Sequence, residues 1–66
     1  MKNSIRVQRA IKNITQAELA ELVNVSRQTI NTMESGKYIP STVLALKIAA
    51  IFGVSVEAVF ELEEGD

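Results

Sequence analysis

TQAELAELVNVSRQTINTMESG, residues 15–36, is the stretch from which the rest of this 66-residue chain is read. Its first half carries a helix start signal. Thr15 is a favourable N-cap and Glu18 stands three positions further on. Together they make a capping box, in which the hydroxyl accepts from the backbone N–H of Glu18 and the carboxylate accepts from the N–H of Thr15. Leu19, Ala20 and Val23 recur at helical spacing and predict a buried stripe. Asn24 follows where a left-handed residue would end the helix, a conformation asparagine tolerates better than most residues other than glycine. Ser26 then caps a second helix, so Asn24-Val25 is the connection, with Val25 turned inward to pin the corner.

The second helix is expected from about Arg27 to Ser35, with Gly36 as its C-cap. Ile30 and Met33 lie on one side. Gln28, Asn31, Thr32 and Ser35 lie on the other, flanked by Arg27. A solvated helix face usually carries Glu and Lys, whereas this one is rich in donors and acceptors and nearly uncharged. Arg27, Gln28, Asn31 and Thr32 are the candidate base readers. Arginine pairs bidentately with guanine, glutamine or asparagine with adenine, and threonine offers a hydroxyl and a methyl. Thr29, on the flank, suits a phosphate or a thymine methyl.

In this order, TQAELAELVNVSRQTINTMESGKYIPS and the later ALKIAAIFGVSVEAVF resemble the helix-turn-helix and the closing two helices of the phage repressor and Cro (XRE-type) family of transcriptional regulators, from Ile5 to about Phe60. The likeness is greatest to the short stand-alone members. It implies an all-α, five-helix bundle of the lambda-repressor-like DNA-binding type, a single domain over residues 1–66. It also implies that Arg9 pairs with Glu34 near the end of the reading helix, and that Gln16, first residue after the Thr15 cap, meets a phosphate where free N–H groups and the helix dipole favour anions. A small two-stranded sheet from the termini is a further expectation; Phe60-Glu61-Leu62-Glu63 alternates apolar and polar, as an edge strand would.

Composition excludes several functions. The chain has neither Cys nor His, which removes disulfides, thiolate chemistry, the usual zinc ligands and the commonest general base. No nucleophile–base constellation or Gly-rich phosphate loop stands out, so no enzyme, cofactor, metal or small-molecule ligand is expected. Charges interrupt every apolar run, so neither a signal peptide nor a membrane span is expected and the default location is cytoplasmic. The net charge is -1 but unevenly placed: +4 up to Lys47, and -5 beyond it from Glu57, Glu61, Glu63, Glu64 and Asp66. A basic end suits phosphates, and an acidic tail repels DNA.

Outside the central stretch, Ser4 is expected to cap a first helix over about Ile5–Lys12, with Asn13 at its C-terminus and with Ile5 and Ala10 facing the core. Gln8 stands where the family commonly has an apolar residue. Val7 and Ile11 form a second apolar pair at the core's edge or against the C-terminal segment. In the loop after the reading helix, Lys37 and Tyr38 can reach phosphates, and Tyr38 can equally pack on the core. Ser26 and Ser41 are further candidates for phosphate contacts. Ser41 caps a helix from about Thr42 to Phe52 whose core stripe is Ala45, Ile48, Ala49 and Phe52, with Leu44 and Ile51 on another side. Gly53 ends it, Val54 turns inward, and Ser55 caps a last short helix through Val59-Phe60.

Leu44, Ile51, Val56, Val59, Phe60 and Leu62 make the last third apolar. Either they fill a small core or they form a two-fold dimer interface, in which identical patches meet. The expected function is that of a sequence-specific double-stranded DNA-binding transcriptional regulator, a repressor that holds a palindromic operator as a homodimer. Activation stays open. The alternative is an antitoxin-like protein-interaction module on the same fold, which the lack of an extra segment to wrap a partner disfavours.

Overall fold

The computed structural model describes residues 1–66. The elements are β1 (Lys2–Asn3), α1 (Ile5–Lys12), α2 (Gln16–Val23), α3 (Arg27–Glu34), α4 (Thr42–Phe52), α5 (Val56–Val59) and β2 (Phe60–Glu61). The chain is thus an all-α five-helix domain closed by a small antiparallel sheet, with Lys2 opposite Glu61 and Asn3 opposite Phe60.

Hydroxyl caps fix most of the helix starts. The side-chain oxygens of Thr15, Ser26, Ser41 and Ser55 accept from the N–H groups of Glu18, Thr29, Leu44 and Ala58 at 3.0, 3.1, 3.2 and 3.2 Å. At Thr15 the box closes, its N–H donating to Glu18 Oε1 at 3.0 Å. Each such contact satisfies a donor that has no partner inside the helix.

The turns share a device. Asn13, Asn24 and Gly53 take φ of 56, 60 and 69°. After each comes an apolar residue whose N–H reaches back to a helix carbonyl: Ile14 to Arg9, Val25 to Ala20 and Val54 to Ala49, at 3.0, 3.0 and 3.1 Å. After that comes the hydroxyl cap of the next helix. One left-handed residue ends a helix, one apolar side chain folds against the core, and one hydroxyl starts the next helix. At α3 the left-handed residue is Gly36, φ 80°. The helix itself ends at Glu34, one residue earlier than the expected Ser35, which is the C-cap.

Twelve apolar residues form one core, in which Ile5, Leu19, Ile30, Met33 and Ile48 are completely buried. Burial of each such side chain contributes about 1.5–3 kcal/mol. Leu44 belongs to this core with Ile48 and Phe52, at spacings of four and eight along α4. Val59 and Phe60 close it from the C-terminal side. Of the two readings open for the last third, Leu44, Val59 and Phe60 thus take the core one and do not lie on an open face for a dimer. Ile51 and Val56 are half-buried, and Leu62 is exposed.

Three expectations for α1 are corrected. Ala10 is exposed; it lies five residues from Ile5, about 140° round the helix, and the residues three and four on from Ile5, Gln8 and Arg9, turn inward instead. Val7 and Ile11 stand in solvent. Ser4 makes no cap bond to α1. Its hydroxyl donates to Ala58 O, and Asn3 Oδ1 takes over the capping role by accepting from Ile5 N–H at 3.2 Å. No helix is long and apolar enough to cross a membrane.

Candidate nucleic-acid interface

α2 and α3 meet at the Asn24-Val25-Ser26 corner, and α3 anchors its inner side on Ile30 and Met33. Arg27, Gln28, Asn31 and Ser35 are left exposed, with Thr29 and Thr32 half-buried beside them. Thr32 donates its hydroxyl to Gln28 O at 2.8 Å and accepts from Gln28 Nε2 at 3.2 Å. Gln28 is therefore laid along the helix with its carbonyl oxygen and one N–H still available. Ser26 and Thr29 share a hydroxyl contact of 2.9 Å, so one of their two protons is already committed. Arg27 makes no ion pair and flanks a cleft shared with Arg9, Asn13, Ile14, Thr15, Gln16 and Ala17.

Beneath this face lies an ionic cluster. Arg9 clamps Glu34 with two parallel bonds, Nε to Oε2 at 2.7 Å and Nη2 to Oε1 at 3.1 Å, while Nη1 donates to Ile14 O. The Glu34 side chain is 1% exposed and Arg9 16%. Arg6 adds a looser contact of 3.6 Å from solvent. Burial pushes the Glu34 carboxyl upward. Hydrogen bonds from Arg9 and Gln16, with the charges of Arg9 and Arg6, outweigh that and hold it below the usual carboxylate range. The bond to Glu34 in turn raises the Arg9 guanidinium. A pair this enclosed fixes geometry: removing one partner would strand the other charge in a dry site. It ties α1 to the last turn of α3.

Gln16 does more than the sequence suggests. Its Nε2 donates to Glu34 Oε1 and to Asn31 Oδ1, both at 3.2 Å. A phosphate contact from Gln16 would then come from its backbone N–H at the start of α2, where no intrahelical acceptor exists. Asn3 was likewise missed. Its Nδ2 donates to Met33 O at 2.8 Å, joining the terminal sheet to the C-terminal turn of α3. Neither link has a local signature, because 15 and 30 residues separate the partners.

In the following loop Lys37 and Tyr38 are exposed; Tyr38, 42% accessible, is not folded into the core. The oxygen of Ser41 caps α4 but keeps its proton for a further acceptor. The carboxylates form no group of three that could hold a metal ion. Apart from the α3 face, an apolar groove runs between Ile39, Pro40, Ala45, Leu46, Val56 and Phe60. Ile39 and Leu46 are 64% and 55% exposed on its rim.

A family model described as helix-turn-helix matches residues 5–59. An uncharacterized HTH-type transcriptional regulator of Methanocaldococcus jannaschii is 50% identical over 66 residues, covering 100% of both chains. The uncharacterized HTH-type transcriptional regulator YgzD of Bacillus subtilis is 47% identical over 64 residues, 97% of each chain. Among solved structures, the SOS-response transcriptional repressor LexA of Eubacterium rectale superposes with a TM-score of 0.79 at 27% identity, over 94% of this chain and 66% of that one.

Proposed function

The chain belongs to the helix-turn-helix family, and from that premise we propose that it is a sequence-specific double-stranded DNA-binding regulator of transcription in the cytoplasm, a repressor that holds a palindromic operator as a homodimer with α3 in the major groove. The observation that carries this is the division of α3. Ile30 and Met33 are completely buried, while Arg27, Gln28 and Asn31 stand out together with free hydrogen-bonding groups. These side chains, with Thr32, read base edges. The backbone at Gln16 and the side chains of Ser26, Thr29, Lys37, Tyr38 and Ser41 hold phosphates and set the register. Repression follows from occupying a promoter, so no cofactor, metal or covalent step is required.

One eight-residue helix reads only a few base pairs. Two copies about a dyad read half-sites about 34 Å apart and multiply the discrimination. Of the apolar residues in the last third, Ile51, Val56 and Leu62 remain for a dimer contact, and the groove beside Ile39 and Leu46 extends that surface. The same open surface favours a second reading, a module that docks on a different protein.

Titration of the isotopically labelled chain with a duplex enriched from a random pool separates the two. Amide shifts concentrated in α3 and at the start of α2 support the DNA reading. Shifts spread only over the groove and the acidic C-terminal segment would overturn it.

A further inference from the structure

We infer that Asn31 presents its Nδ2 donors to the base it reads, held in that orientation by Gln16, and that it selects guanine over adenine at the base pair it meets. This rests on the operator-binding reading of α3. The starting point is Glu34, whose buried carboxylate is ionised and can only accept. The Gln16 amide atom that faces it must therefore be the nitrogen, which resolves the usual ambiguity between the two ends of an amide. One N–H of that nitrogen goes to Glu34 Oε1 and the other faces Asn31, both at 3.2 Å. The Asn31 atom receiving it must then be the oxygen.

The carboxylate thus fixes the orientation of Gln16, which donates both to it and to Asn31. Asn31 is left exposed with both N–H groups of Nδ2 free and its oxygen turned to a neighbouring side chain. A bidentate contact to adenine needs an amide oxygen on the N6 amino group as well as an N–H on N7. Here Gln16 already holds one lone pair of that oxygen, which turns it toward α2 and leaves Nδ2 as the end of the amide without a partner. Guanine offers two adjacent acceptors, N7 and O6, and suits a pair of donors. Gln16 is a positioning residue in this arrangement, because it fixes which end of Asn31 faces the groove. Both of its own side-chain donors are already engaged.

The test is selection from a randomised duplex pool with three proteins: the wild type, Asn31→Ala and Gln16→Met. The base pair whose preference collapses in Asn31→Ala is the one Asn31 reads. At that pair the wild type should favour guanine over adenine by about 10-fold or more. Gln16→Met removes both donors at similar length and lets the Asn31 amide turn over. It should bring the ratio to within about threefold of unity while the rest of the consensus stays, a pattern that a general loss of fold or affinity does not give. Adenine at that pair in the wild type, an unchanged ratio in Gln16→Met, or no pair that depends on Asn31 would overturn the assignment and leave the operator reading standing. No enrichment with any of the proteins would remove the operator reading, and this assignment with it.

Discussion

Gln28 and Lys37 stand exposed on one surface, and the proposed function gives them different work. Gln28 keeps a carbonyl oxygen and an N–H free while Thr32 steadies it. Gln28→Ala should cost about 1–3 kcal/mol on the selected operator and little on random DNA, measured by competition binding. Lys37→Ala should weaken both alike and lower the slope of log K against log salt by about 0.9, the contribution of one phosphate contact. Glu34 gives a pH prediction. Its carboxyl is held below the ordinary value in the folded chain. The stabilisation it contributes is therefore complete above the unfolded carboxyl's pKa, about 4.3, and is lost as pH falls through the lower folded value. Denaturant titrations of the wild type and Glu34→Gln should diverge above that window and converge below it. Residue types alone made the outer face of α3 legible, since a helix surface of Arg, Gln, Asn and Thr is unlike a solvated one. The orientation of the Asn31 amide was not legible, because its contact comes from Gln16 on the neighbouring helix, which is itself turned by Glu34.

Helices and turns were the most readable level, because the forces that bound them act over three to five residues. Thr15, Asn24 and Ser26 each carry their role in their own chemistry. Thr15→Ala removes one partner of the capping box and should cost about 1 kcal/mol in a denaturant titration. Asn24→Gly should be close to neutral, whereas Asn24→Ala, forced to hold φ at 60°, should cost about 1 kcal/mol or more. The first helix was the weaker reading. Its inward face runs Ile5, Gln8, Arg9, and a hydrophobicity pattern cannot favour two half-buried polar residues, of which Arg9 turns inward to clamp Glu34. Ser4 misled for a similar reason: as a hydroxyl before a helix it looks like a cap, but the strand pairing turns it to Ala58 and leaves the cap to Asn3. Asn3→Ala should therefore loosen the start of α1 and the end of α3 together, visible as faster amide exchange in both.

Across the whole molecule, charge and apolar surface are divided between two regions of sequence. The chain is basic up to Lys47 and acidic after it, so binding to duplex DNA should depend steeply on salt despite a net charge of -1. The apolar last third was legible as an excess but not in its partition. Leu44, Val59 and Phe60 close the core of one chain, a tertiary outcome, and only Ile51, Val56, Leu62 and the groove beside Leu46 are left for a second one. A dimer joined through that surface should place two α3 helices on one side of a duplex. The measurement that bears most directly on this is selection of binding sites from a randomised duplex pool, followed by the mass of the selected complex. The account predicts a palindromic consensus with half-sites about one helical turn apart, bound by two chains. A pool that shows no enrichment, with only weak salt-sensitive association of a single chain, would contradict it.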